Sequence, residues 1–311
     1  MQSHGHPDPL DPAISSPRSG AWGPLRRDAF TSRQMEAFRE GLRLPGMPDV
    51  RSSVLDDLST YFRVDAEEAL FRATHSFDES VAEWKARPRA TAADITDFYV
   101  NLRSWSFGQV WYAYLQAEGY ATPVAAIIAR DMEGSTPGSL LDFGSGCGAG
   151  AMMFALLGHA VTLADISTPL LSFAKFRFER RGLAATFIDL NTQSLPDTAF
   201  EVVAAIQTLA HVPDLRVTGH ELHGALRAGG LLYADIDVHE REEGDSRLYA
   251  DDLRPRRTLR ATGFAEERSI EGVTARYRSV TPAGLGHGCR RLRDAVVLGP
   301  PRRAWRTVRY R

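Results

Sequence analysis

From residue 31 to about 132 the apolar positions recur every three or four residues, the period of helices that bury one face. Val54, Leu55, Leu58, Tyr61 and Phe62 make one stripe, and Phe107, Val110, Trp111, Tyr114 and Leu115 a second. Capping signatures divide the stretch. Asp65-Ala-Glu-Glu68, Ser76-Phe-Asp-Glu79 and Ser106-Phe-Gly-Gln109 have capping-box form. In such a box a short side-chain oxygen takes the N3 amide while the Glu or Gln at N3 reaches back. Thr91 with Asp94 is a weaker version, and Thr122-Pro123 opens a further helix through Val124, Ile127 and Ile128.

Near Ser139 the period changes. Short apolar runs at 139–143, 160–165, 184–190, 200–206 and 230–237 predict strands, and 149–157, 168–181, 214–227 and 247–262 predict helices between them. Strands alternating with helices imply βαβ units around a parallel sheet covered on both faces. Residues 264–280 predict two more strands, an antiparallel pair closing the sheet. The expected fold class is therefore α/β: a Rossmann-like, doubly wound, mostly parallel sheet of about seven strands, preceded by an α-helical region. The expected division is a disordered tail at 1–27, rich in Pro, Gly, Ser and His, a helical lid at 28–135, a core at 136–281 and an arginine-rich extension at 282–311. That extension has eight arginines against the single acid Asp294, and is read as packing on the acidic N-terminal helices.

Composition narrows the function only a little. The 311 residues carry a formal net charge of −2, which gives no reason to expect nucleic acid or a membrane surface as partner. Only Lys85 and Lys175 are lysines among 37 basic residues, a bias that points to a GC-rich coding sequence rather than to chemistry. Cys147 and Cys289 make neither a disulfide framework nor a metal-ligand spacing; no metal is expected, His4 and His6 in the tail included. No run has signal-peptide or membrane-span form, so a soluble, cytoplasmic protein is expected.

The chemistry concentrates in LLDFGSGCGAG, residues 140–150. Glycines at 144, 146 and 148 follow the first strand of the sheet, where ligands of such folds bind. They permit positive φ and close approach of a ligand to the main chain, and the next helix offers unpaired amides. This much suits a dinucleotide pyrophosphate and the amino-acid end of S-adenosylmethionine equally. Asp142, two residues before Gly144, suits a ligand with an ammonium group. Asp165, ending the second strand, can accept both hydroxyls of a ribose, and Asp189, ending the third, an adenine amino group.

Asp142-Phe-Gly-Ser-Gly-Cys-Gly148, Asp165, Asp189, the block 200–215 and the Arg-Ala-Gly-Gly stretch before 231 together resemble the ordered motifs of class I S-adenosylmethionine-dependent methyltransferases. The resemblance covers roughly 137–270. It implies that Gly144, Ser145, Gly146 and Gly148 meet the methionine moiety, Asp165 with Ile166 the ribose, and Asp189 with Leu190 the adenine. Ala205 and Gln207 would border the donor and acceptor pockets. Gln207 and Ala210 stand where many relatives have glutamates, so the mouth of the site is less acidic here.

His211 and His239, each just beyond a strand end, are the candidate general bases, with structural roles as the alternative for both. Tyr99, Trp105 and Tyr112 are candidate lid residues over the acceptor, or else core. Cys147 reads as a small tolerated residue, since nothing near it in sequence would activate a thiol. The function that follows is methyl transfer from S-adenosylmethionine to a small-molecule acceptor, in bacterial specialised metabolism if the coding bias is a guide. Three alternatives stand beside it: transfer or cyclisation of the cofactor's aminocarboxypropyl arm, a catalytically silent scaffold, and last a dinucleotide oxidoreductase. The oligomeric state, monomer or homodimer, stays open.

Overall fold

The computed structural model describes residues 32–88, 90–102, 105–235, 248–249 and 252–280. The tail at 1–27, the extension at 282–311 and His239 lie outside the described residues.

Among the described residues six helices precede the sheet: α1 (Arg33–Leu42), α2 (Val50–Phe62), α3 (Ala66–Ala86), α4 (Ala92–Asn101), α5 (Trp105–Glu118) and α6 (Val124–Asp131). Local chemistry sets their starts. Ser32, Asp49 and Asp65 each sit extended at an N-cap and accept the amide three residues on. Two predicted starts are corrected. Ser76 lies inside α3, its hydroxyl turned back to the Ala73 carbonyl at 2.9 Å, so the helix runs through the motif. Ser106 is already the second residue of α5, and Gln109 does not reach back to it. The reciprocal box belongs instead to Thr91 and Asp94: Asp94 N–H donates to Thr91 Oγ1 at 3.1 Å, and Thr91 N–H to Asp94 Oδ2 at 2.9 Å.

The sheet has seven strands in the order β3-β2-β1-β4-β5-β7-β6. They are β1 (Ser139–Phe143), β2 (Ala160–Asp165), β3 (Thr186–Asp189), β4 (Phe200–Ala205), β5 (Leu226–Ala234), β6 (Phe264–Ile270) and β7 (Thr274–Ser279). The first five are parallel, and β7 joins both β5 and β6 antiparallel. Between them run α7 (Ala149–Leu156), α8 (Thr168–Arg180), a short 3-10 turn (Leu209–His211), α9 (Leu215–Ala225) and α10 (Leu253–Ala261). The Arg-Ala-Gly-Gly stretch, 227–230, lies within β5, which starts four residues before the expected strand at 230–237. Leu226 is buried opposite Phe200, and the register then slips to Val202 against Leu231. Gly229, at φ 75°, takes up the excursion.

Alternate strand residues face opposite layers, as a pleated sheet requires. Leu140, Leu163, Ala204 and Tyr233 join a core built with the N-terminal helices and with α7 and α8. Leu141, Ala164, Val203 and Leu232 join the other core, against Leu215 and Leu222 of α9 and Leu259 of α10. The N-terminal helices thus complete one side of the sheet as well as approaching its C-terminal edge. No described helix is long and apolar enough to cross a membrane.

Candidate functional site

The glycine loop leaves β1 and enters α7 at Gly148. Gly144 has φ 71° and Gly146 φ 51°, and a Cβ on either would collide: with Thr208 at 2.3 Å from 144, with Gln109 at 2.2 Å from 146. Glycine is needed for conformation and for room at once.

Asp165, at the end of β2, grips this loop. Its Oδ2 accepts the Gly146 amide at 2.8 Å and its Oδ1 the Ser167 amide at 2.7 Å. Burial still raises its pKa, against the lowering effect of those amide bonds. Asp142 lies beside it. Burial, and then the charge of Asp165, push Asp142 up to about 7, with the Ala151 amide working the other way. Both side chains are buried, and among the described residues no ion pair joins either. The Ser145 hydroxyl and the Trp105 indole N–H are also buried, without a hydrogen-bond partner among the described residues. Unpaired buried carboxylates and unsatisfied polar atoms are costly on their own, and they suit a ligand that brings cationic and hydroxyl groups.

Asp189 binds its neighbours: Oδ2 accepts the Thr168 hydroxyl at 2.7 Å, and Oδ1 the Asn191 amide at 2.8 Å. Leu190 is buried, and its N–H donates to the Asp165 carbonyl at 2.9 Å. Beyond β4, Ala205 is buried. Gln207 takes φ 51° and donates its N–H to Asp235 Oδ1 at 2.6 Å. Asp235 is buried at the end of β5. Sequence reasoning missed it, together with Thr208 and Gln109.

Over this edge stands an aromatic wall. Trp84, Phe98, Tyr99 and Leu102 form a small core of their own, with Trp105 and Ile166 packed against it. The Tyr99 hydroxyl lies 2.9 Å from His211 Nδ1. Trp105 meets both rings edge-on, at centroid distances of 5.7 Å and 6.3 Å. Helix α4, the start of α5 and the turn after β4 therefore converge, bringing two candidate lid residues to one candidate base. Tyr112 is half-buried on α5, outside this cluster. Cys147 is buried, which drives its thiol up to about 12; it has no nucleophile's environment.

Residues 141–234, from β1 to the end of β5, match the family described as a methyltransferase domain. Over residues 141–234 the chain carries a methyltransferase domain. An uncharacterized methyltransferase of Mycobacterium tuberculosis is 33% identical over 93 residues, covering 30% of this chain and 47% of that protein. A ubiquinone biosynthesis O-methyltransferase of Paramagnetospirillum magneticum is 31% identical over 106 residues, covering 34% and 41%. The chain thus spans less than half the length of these curated relatives. Among solved structures, an S-adenosylmethionine-dependent methyltransferase of Mesorhizobium loti has TM-score 0.39 and 18% identity, over 50% of this chain and 98% of that one. In this methyltransferase domain the matched residues include the glycine loop, Asp142, Asp165, Asp189, Gln207 and His211, whereas Tyr99, Trp105 and Gln109 come from the helices before it.

Proposed function

We propose that the protein transfers a methyl group from S-adenosylmethionine to a small-molecule acceptor held between the aromatic wall and the strand ends. The observation that carries this reading is the buried pair Asp142 and Asp165, with no ion pair to either among the described residues, beneath a glycine loop that Asp165 itself pins. Asp142 would hold the cofactor's ammonium, whose charge would draw the raised carboxyl back to its ionised form. Asp165 keeps lone pairs beyond its two amide bonds for ribose hydroxyls, and Asp189 with Leu190 would border the adenine. When bound, S-adenosylmethionine supplies an electrophilic methyl carbon on a sulfonium.

The chain's own contribution is to place the acceptor in line with that carbon and to exclude water. Tyr99, Trp105 and His211 form the wall suited to both tasks. In the tautomer that donates Nδ1–H to the Tyr99 oxygen, His211 carries its lone pair on Nε2 and can take a proton from a hydroxyl or amine acceptor. A wall built from the chain's own helices favours a compact acceptor over a macromolecule.

The test is mass spectrometry of products after incubating the full chain with S-adenosylmethionine and a panel of small phenols, amines and thiols. S-adenosylhomocysteine above an enzyme-free control, with a methylated panel member, is the expected result. Methylthioadenosine instead would mean that the aminocarboxypropyl arm is what leaves, and would overturn methyl transfer.

A further inference from the structure

The glycine loop is held at one residue by the helical layer. Cys147 N–H donates to Gln109 Oε1 of α5 at 3.0 Å, and its carbonyl accepts Arg177 Nη1 of α8 at 2.7 Å. Its Sγ lies 3.8 Å from the Ser106 carbonyl, again on α5. Arg177 is in turn oriented from the helical layer: its Nε donates to Asp57 Oδ2 of α2 at 3.1 Å, both side chains being fully buried. Both main-chain polar groups of Cys147 thus depend on helices outside the matched domain, directly through Gln109 and indirectly through Asp57 and Arg177. On the loop's other side, Gly146 N–H is fixed by Asp165.

From this geometry we infer that Gln109 and Arg177 are positioning residues for the cofactor loop, and that docking of the helical layer and binding of the cofactor are coupled through Cys147. The inference rests on the cofactor reading above. Without the Gln109 oxygen the Cys147 amide loses its acceptor. The loop can then rotate away from the shape Asp165 holds. Coupling of this kind is reciprocal, so a ligand in the loop must also tighten α5.

The experiment uses the full chain, with wild type, Gln109→Met, Arg177→Lys and Asp165→Ala compared. S-adenosylhomocysteine affinity is measured by calorimetry, the ligand-free melting temperature by scanning fluorimetry, and amide exchange over α5 with and without ligand by mass spectrometry. Gln109 is only half-buried, so its variant keeps the test decisive even if Arg177→Lys fails to fold. The expected result is affinity for Gln109→Met about tenfold weaker, the size of a lost hydrogen bond, with the ligand-free protein folded and its melting temperature lowered by only a few degrees, as a loss of that size implies. Ligand should slow exchange across 105–118 in wild type and much less in Gln109→Met. Wild-type affinity in Gln109→Met, with Asp165→Ala impaired, would overturn the coupling and leave the cofactor reading standing. No binding by wild type would overturn both.

Discussion

Asp165 closes its carboxylate on Gly146, nineteen residues before it in the chain, at 2.8 Å. Two motifs that the sequence presents as separate signals are thereby one structural unit: the end of β2 sets the shape of the loop after β1. The second oxygen is fixed just as firmly by the Ser167 amide at 2.7 Å. The carboxylate is prepared before any ligand arrives, so little side-chain entropy is left to lose on binding.

Replacing Asp165 with Ala removes two amide acceptors and the proposed ribose contact. S-adenosylhomocysteine affinity should fall at least about tenfold, since hydrogen bonds to a charged group contribute about 1.5–3 kcal/mol each. Asn should do little better, because an amide NH2 would face one of the two N–H donors. Calorimetry checks both. An affinity unchanged in either variant would remove Asp165 from the site.

Asp142 makes the ligand-free protein sensitive to pH in a definite direction. Its pKa is raised from 3.8 to about 7, so between those values the folded chain binds a proton that the unfolded chain has released. Its contribution to stability is full below pH 4 and is lost as pH rises through about 7. Asp142→Asn keeps a neutral side chain at every pH. In urea titrations the wild-type value, compared with that of Asp142→Asn, should decline from pH 4 to 7 and then level. Parallel profiles would show that Asp142 is not buried as described. Ligand should flatten the wild-type profile by supplying a counter-charge.

Much of this was legible in the sequence, and the limits have physical reasons. The β1 and β2 boundaries follow from apolar runs ended by Asp142-Phe143 and Asp165, because a buried parallel strand reads as a continuous apolar block. The helix starts were less legible. Ser76 has capping form but sits in a helix whose neighbours are already paired, and there its hydroxyl does better returned to Ala73. Gln109 also has capping form, yet tertiary structure claims its oxygen for Cys147. Spacing within a motif reports local partners only. The contacts Tyr99–His211, Gln207–Asp235 and Asp57–Arg177 span 112, 28 and 120 residues, and no local pattern announces them.

Tyr99→Phe tests the wall. The substitution keeps the ring contacts with Trp84, Phe98 and Trp105 but loses the hydroxyl 2.9 Å from His211 Nδ1. If His211 takes a proton in the reaction, kcat should drop about tenfold while S-adenosylhomocysteine affinity stays within about twofold. His211→Gln should cost more, on the order of the hundredfold expected for a general base. Steady-state kinetics with an acceptor from the product screen separate the cases. Equal kcat in all three proteins would leave the pair a structural contact only.

Asp57 carries the interface between α2 and α8. Its fully buried carboxylate meets Arg177, Arg180 at 2.8 Å and Arg181 at 2.9 Å. Burial, and then the neighbouring Arg177 charge, already lower Arg181 to about 10, so the guanidiniums strain against one another and Asp57 holds them. Asp57→Asn leaves Arg177 buried with no counter-charge, and breaking a buried pair in this way costs about 3–5 kcal/mol. The unfolding free energy in urea should fall by that order. Adding Arg181→Met should recover part of the loss, because it removes one of the unpaired charges while keeping apolar volume. A double variant less stable than Asp57→Asn would mean that Arg181 contributes chiefly through its hydrogen bond to the Leu42 carbonyl, not through its charge beside Arg177.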